Sequence, residues 1–261
     1  MDTPRPLALI TGASSGLGAD FSLGLARKGY DLLLTGRDPE RLDDTAARAR
    51  RLGATVEVAL LDLGTPAGVD GLIAWAASRP LEVLVNNAGF GSSGPFMEEK
   101  PETLADMIYL NVTALTLITR AFMAGMVSRG KGRILNIAST GGFQPCPGMA
   151  TYCATKSYVL HFSEAVAEEL EGTGVTLTAL CPGPTRTRFA DRAAMTTAPS
   201  FRSAMASEPV AEIGIRAMLS GRRVRVTGAR NRLMAFSVRV APRRMVAMIA
   251  MKSLRRDDCA R

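Results

Sequence analysis

Tyr152 and Lys156 stand four residues apart, just ahead of SYVLHFSEAVAEEL, a stretch that reads as a helix, so their side chains share one face. A phenol with its ordinary pKa of about 10 is a poor proton donor or acceptor at neutral pH. A neighbouring ammonium favours the phenolate, so this spacing predicts a Tyr152 pKa drawn down toward the working range. Ser139 follows the mostly apolar run Ile134 to Ala138, which reads as a buried strand. Its hydroxyl is therefore expected at a strand's carboxyl end, beside the oxygen that Tyr152 would protonate. Tyr-x-x-x-Lys on a helix is common by itself. The chemistry depends on what the other elements position around it.

Those elements alternate. A short strand, Leu7 to Ile10, runs into TGASSGLG, whose Gly12, Gly16 and Gly18 are spaced G-x-x-x-G-x-G ahead of a helical pattern through Lys28. Glycines at a strand-to-helix turn allow a tight bend and bring backbone N–H groups close to phosphate. A strand before and an amphipathic helix after favour a dinucleotide site over an ordinary turn, with Gly12, Ser14, Ser15, Gly16, Leu17 and Gly18 as its contacts. The second strand, Leu32 to Thr35, ends in Gly36-Arg37, where an NAD site would place an acid against the ribose 2′-hydroxyl. A guanidinium there pairs with a 2′-phosphate, so NADP(H) is favoured over NAD(H). Asp38 reads as a helix N-cap ahead of Pro39.

The helix of about residues 39 to 51 reads as solvated surface. A third strand, Val56 to Leu61, ends at Asp62-Leu63, an expected contact for the adenine amino group. Helix Pro66 to Ser78 carries Trp75, read as core. Strand Val83 to Val85 ends in Asn86-Asn87-Ala88-Gly89, polar and small residues suited to a cofactor edge or simply to a turn. The helical stretch Pro101 to Ser128 holds Asn111 in an apolar setting, where its amide must find partners. Strand Val175 to Leu180 leads into Cys181-Pro182-Gly183-Pro184-Thr185-Arg186-Thr187. Five or six strands alternating with helices predict an α/β fold, a doubly wound parallel sheet with ligands at the strands' carboxyl ends. Every motif above lies at such an end or at the start of the next helix, helix-borne Asn111 excepted.

A chain of 261 residues, 47% hydrophobic and 21% charged, fits one large globular domain. No uninterrupted apolar run approaches the roughly 18 residues of a membrane span. Leu7 to Ile10 is too short for a signal peptide and leads into a turn the fold needs. Cys146, Cys153, Cys181 and Cys259 show no CxxC pairing or metal spacing and read as free thiols in a reducing cytoplasm. With His161 the only histidine, a Ser-His-Asp triad and a His-rich metal site are both disfavoured, so no metal is expected. His161 is read as packing or capping within its own helix.

Taken together these residues resemble the short-chain dehydrogenase/reductase family over roughly residues 7 to 228. The matching stretches are TGASSGLG at 11 to 18, Asp62, NNAG at 86 to 89, Asn111, Ser139, YCATK at 152 to 156, and Pro182-Gly183 with Thr187. The resemblance implies a Rossmann-type sheet, usually of seven strands, and a nicotinamide cofactor. It also implies a tetrad in which Tyr152 is general acid/base and Ser139 orients the substrate oxygen. In that scheme Lys156 binds the nicotinamide ribose and lowers the Tyr152 pKa, while Asn111 holds a proton-relay water. Asn87, Ala88, Gly89, Leu63, Pro182, Gly183 and Thr185 would border the cofactor, and Thr187 would bond its carboxamide. Gly36-Arg37 resembles NADP-preferring members. Ser15 stands where some of those carry a second basic residue. The reaction implied is hydride transfer to a ketone or aldehyde, or from the matching alcohol. One alternative is a 3-oxoacyl-carrier-protein reductase, although the extra C-terminal helices fit that smaller architecture poorly. The other is a dinucleotide-binding sensor or scaffold without turnover, against which the intact tetrad argues. Family members of this kind are expected to be homodimers or homotetramers.

Two regions are expected to set the substrate. Phe143, Gln144 and Met149 follow Ser139, and Phe189, Met195, Phe201 and Met205 punctuate a lid-like stretch of roughly residues 188 to 207. These favour a moderately hydrophobic carbonyl compound. Residues 1–228 then form the catalytic domain, and 229–261 a basic helical extension of it. From Arg222 to Arg261 there are twelve Lys/Arg against two Asp/Glu, so the overall charge of +8 is a property of this tail. A strand, Val224 to Thr227, and two helices either side of Pro242 are expected there. The first helix would set Leu233, Phe236 and Val240 against Arg232 and Arg239; the second flanks Met245 to Met251 with Arg243, Arg244, Lys252, Arg255 and Arg256. Such helices pack on the domain or a second subunit, or lie on an anionic membrane surface. Nothing interleaves aromatics with bases as nucleic-acid binding would require.

Overall fold

A computed structural model describes residues 5–189 and 198–254. Met195, Cys259, Arg255 and Arg256, singled out above, lie outside them. The strands β1 (Leu7–Thr11), β2 (Asp31–Gly36), β3 (Val56–Leu60), β4 (Leu81–Asn86), β5 (Gly132–Ile137), β6 (Val175–Cys181) and a short β9 (Val224–Val226) form one parallel sheet, in the order β3-β2-β1-β4-β5-β6-β9. Sequence order reverses between β1 and β4, so a crevice opens at their carboxyl ends. Two-residue strands β7 (Thr185–Arg186) and β8 (Met205–Ala206) pair apart from the sheet.

The central strands are buried on both faces, and their residues divide by parity. Ala8 and Ile10 of β1 join Phe21 and Leu25 of α1 (Gly16–Arg27), with Leu42 and Ala46 of α2 (Pro39–Arg51), in one core. Leu9 turns the other way, toward Leu72 of α3 (Pro66–Ala76) and Ile118 and Phe122 of α5 (Leu115–Ser128). Trp75 packs at the edge of this second core, with Arg79 over its ring. Helix α2 is thus only half solvated: Leu42, Thr45, Ala46 and Ala49 are buried and its arginines line the other face. Asp38 caps it, accepting from the Arg41 N–H at 3.2 Å, with Pro39 in the first turn.

The stretch from Pro101 to Ser128 is α4 (Pro101–Ile108), a π-turn over Tyr109–Ala114, and α5. It is long and apolar enough to cross a membrane by length and composition. Here Ile118, Phe122 and Met126 are core residues against the sheet. A helix that the sequence analysis left unassigned, α7 (Ser207–Leu219), packs along α1, where Gly24 and Gly214 let Ile215 and Phe21 approach. Its buried Val210, Ala211, Gly214, Ile215 and Met218 recur at helical spacing, a signal present in the sequence. Helix α6 (Ala150–Glu169) follows β5, and α8 (Ala229–Ser237) and α9 (Arg243–Leu254) close the described chain.

A side chain at Gly18 would strike the Gly12 carbonyl and come within 2.6 Å of the Asn87 amide. Gly18→Ala is therefore expected to cost about 1–3 kcal/mol of stability through overpacking, read as a lowered urea midpoint at unchanged slope. A midpoint equal to wild type would show that α1 does not depend on this approach.

Candidate active site

The loop from β1 to α1 carries the left-handed turns its glycines permit, φ being 66° at Gly12 and 55° at Gly16. Ser15 is the N-cap of α1 but makes no side-chain cap, and the first turn holds no acid. The amides of this helix end consequently face the crevice with the positive end of the helix dipole behind them. Asn87 clamps the loop, donating to the Thr11 carbonyl at 3.0 Å and the Gly12 carbonyl at 3.1 Å. The Thr11 hydroxyl accepts from the Asn87 and Ala88 N–H groups, each at 3.0 Å. A dinucleotide fits this cradle: open amides for its diphosphate, glycine backbone in place of side chains, and no acid in the first helical turn to repel it. At the far end Arg37 and Asp62 form an exposed ion pair at 3.6 Å.

The crevice continues as a cleft of about 420 Å³ that brings Ser14, Ser15, Leu17, Arg37, Asp62 and Leu63 into one wall system with Asn87, Ala88 and Gly89. Ser139, Tyr152, Lys156, Pro182, Gly183, Thr185 and Thr187 line the same cleft. Gly18 and Asn111 stand behind the wall. Asn111, fully buried at the π-turn, spends its amide on structure: it accepts from the Phe90 N–H at 3.1 Å and donates to the Phe90 carbonyl at 2.8 Å and to Thr155 Oγ1 at 3.1 Å. Ser139 sits at the β5 end, its hydroxyl accepting from the Gly141 N–H at 3.1 Å and lying in hydrogen-bonding reach of the Tyr152 phenol. Lys156 Nζ donates to the Ile137 carbonyl at 2.7 Å and lies 5.9 Å from the Tyr152 ring centre.

These surroundings reverse one expectation. Burial pushes the Tyr152 phenol above its ordinary range, opposed mainly by the Ser139 hydrogen bond rather than by Lys156. Burial also lowers the Lys156 ammonium, to about 8, while its Nζ donates to a carbonyl at the strand end. The phenol is therefore protonated at neutral pH.

The family model for short chain dehydrogenases matches residues 6–197. The chain belongs to that family. A protein of Streptomyces violaceoruber provisionally named as a ketoacyl reductase of the granaticin polyketide synthase is 38% identical over 192 residues, 72% of this chain and 71% of its own length. Among solved structures, a short-chain dehydrogenase from Sphingobium yanoikuyae in complex with NADPH is 34% identical, with a TM-score of 0.82 over 97% of this chain and 99% of the other. A bulky-bulky ketone specific alcohol dehydrogenase from Comamonas testosteroni is 31% identical, with a TM-score of 0.79 over 91% and 93%.

This short-chain dehydrogenase is accordingly an oxidoreductase that moves hydride between a nicotinamide cofactor and a CH–OH or C=O group. Its substrate end departs in places from the sequence reading. Gln144, Met149, Phe189 and Phe201 line the cleft, but Phe143 turns away to the core around Leu160, and Met205 packs on the core beside Met218. A one-residue step along the 3-10 turn Thr140–Phe143 separates Gln144 from Phe143. Sequence reasoning missed Cys146 and Cys153 as wall residues, and Asn231 and Met234 of α8 and Leu254 of α9. Asn231 carried a signal, a polar residue within an arginine-rich amphipathic stretch; it donates to the Thr227 carbonyl at 2.7 Å and comes against Gly183. His161 accordingly stays on its helix, facing the Ser157 carbonyl at 2.8 Å. Among the described residues no cluster suited to a metal occurs.

With Lys156 near 8 when folded and 10.5 as its ordinary value, the unfolded chain binds more protons between these values, so stability rises with pH across that window. Lys156→Met lacks this step. In urea melts the wild type is expected to gain on the variant as pH goes from about 8 to about 10.5. A gap independent of pH would show that the ammonium is better solvated than its burial indicates.

Proposed function

We propose that this enzyme reduces a moderately hydrophobic ketone or aldehyde with NADPH, using Tyr152 as the proton donor. The observation that carries the reading is that one cleft joins the uncapped end of α1 and Arg37 to the Ser139–Tyr152–Lys156 cluster. When bound, a nicotinamide cofactor supplies the hydride. The chain's own groups do the rest. Ser139 hydrogen-bonds the carbonyl oxygen and polarises it. Tyr152, protonated in its buried setting, passes its proton to that oxygen as the carbon is reduced. Lys156, fixed by the Ile137 carbonyl, holds the ribose and offsets negative charge on the phenolate left behind. Asn111 is a positioning residue, tying the loop after Gly89 to Thr155 on the helix of Tyr152. With its side chain so engaged, any relay water would be held by its main chain. Thr187 closes over Gly16, where it could meet the carboxamide.

The preference for NADPH rests on Arg37 with Gly36 before it, where NAD sites place an acid. The pair with Asp62 does not sequester the guanidinium, since both groups are exposed and such pairs contribute little. A Sphingobium relative holding NADPH supports the same reading. The apolar substrate wall of Met149, Phe189, Phe201 and Met234 supports a hydrophobic carbonyl compound. A 3-oxoacyl thioester is the second reading, favoured by the ketoacyl reductase named among the relatives. Exposed Ile108, Leu117, Val127 and Tyr158, on and beside α4 to α6, support assembly into a homodimer or homotetramer. Free, buried Cys146, Cys153 and Cys181 suit the reducing cytoplasm.

The test is oxidation of NADPH and of NADH against a panel of aryl and alkyl ketones, aldehydes and 3-oxoacyl thioesters. Turnover is expected with NADPH, and the ketone and thioester arms separate the two substrate readings. Arg37→Ser is expected to lower kcat/KM for NADPH by about tenfold to a hundredfold, the value of a charge-assisted bond of roughly 1.5–3 kcal/mol, while leaving NADH within about twofold. A wild type that works better with NADH would overturn the assignment of Arg37.

A further inference from the structure

The two last helices have different business on their two sides. Inward, Asn231 and Met234 of α8 and Leu254 of α9 form part of the cleft wall, and Val246 and Ala250 continue the Leu254 stripe into the protein. Outward, large apolar side chains stand in water. Leu233 is 70% exposed, Phe236 63%, Val240 77% and Ile249 61%, with Met245 and Met248 about half exposed. Scattered apolar residues on a surface need no explanation, but this many on two short helices and the turn at Val240 between them mark an interaction face.

The charge around that face selects its occupant. From Arg222 to Leu254 there are nine Lys/Arg and no Asp/Glu. Arg223 is paired with Glu168 and Glu171. Among the described residues, Arg232, Arg239, Arg243, Arg244 and Lys252 form no ion pair, and all are exposed; Arg230, also exposed, lines the cleft. A second copy of the chain would bring the same uncompensated cations against these, at a cost in repulsion. An acidic soluble protein would answer the charge but not the apolar side chains set among it. An anionic bilayer answers both, taking the apolar tips below its headgroups and the arginines among its phosphates.

We propose that α8 and α9 dock the enzyme on an anionic lipid surface, so that the wall of the cleft rests on the bilayer and a substrate dissolved in the membrane reaches Tyr152 along it. The delivery part rests on the reductase reading given above; the docking does not. The full chain is sedimented with vesicles of phosphatidylcholine alone and of phosphatidylcholine mixed with phosphatidylglycerol, at low and high salt. Recovery is expected with the mixed vesicles, at least about tenfold tighter than with phosphatidylcholine, and weakened by salt. Two variants are run beside it, Phe236→Ser with Ile249→Ser, and Arg243→Gln with Arg244→Gln. All four positions are exposed and outside the cleft lining, so both variants are expected to keep wild-type turnover of a water-soluble ketone and to lose binding to the mixed vesicles.

For a ketone that partitions into the vesicles, kcat/KM should fall in the variants while the soluble ketone is unaffected. Equal recovery of wild-type protein in the supernatant with both vesicle types would overturn the proposal. So would binding that survives both pairs of substitutions. A sedimentation velocity that rises with protein concentration in the wild type only would assign the face to a second copy instead. Were no ketone turned over, the vesicle result would still stand or fall by itself.

Discussion

The proposed reaction centre depends on a buried ammonium held, among the described residues, by a strand-end carbonyl. Lys156 is only 6% exposed, and its hydrogen bond to Ile137 ties the first turns of α6 to the end of β5. An unpartnered charge at that depth would cost several kcal/mol, so helix and strand cannot separate without losing this bond. The close approach it needs is bought with glycine. A side chain at Gly142 would meet the Lys156 carbonyl at 2.7 Å, and one at Gly89 would come within 2.8 Å of Asn111 Oδ1. With the helix so seated, Tyr152 is held against Ser139, which the same strand delivers. The burial that fixes the geometry also keeps the phenol protonated, and a protonated phenol is what carbonyl reduction needs at its start.

The other half of the site follows from a different constraint. Parallel strands that reverse their order between β1 and β4 leave a crevice at their carboxyl ends. The helix that enters it, α1, is left without a side-chain cap. Backbone amides that go unpaired within the protein are a cost in the free state, and they become binding groups when an anion arrives. Asn87 and Thr11 spend their hydrogen bonds holding the loop in that open form. Fold, clamp and cleft are therefore one arrangement.

Much of this was legible in the chain. The glycine spacing at 12, 16 and 18, the strand runs, the Asp38 cap and the need of Asn111 for partners each carry a local physical signature, and each element lies where that signature put it. What was not legible is what depends on three-dimensional surroundings. Phe143 and Gln144 are neighbours, and only the sense of a short 3-10 turn decides which one faces the cleft. The Tyr152 shift was misjudged because four-residue spacing predicts proximity to Lys156 but not the depth of burial, which here outweighs charge. Periodicity marked α8 and α9 as amphipathic without showing that their apolar outward faces would remain uncovered.

The central claim is that Tyr152 delivers the proton in a cleft where the nicotinamide delivers hydride. The direct measurement is single-turnover transfer of deuterium from NADPH labelled at its transferable C4 position to a ketone, in wild type and Tyr152→Phe, with NADPH affinity measured on both. Label is expected on the carbinol carbon with wild type. With the variant, transfer should slow by about a hundredfold or more while NADPH binds as before. Equal rates of label transfer in the two proteins would contradict the account and move the proton donor to another group.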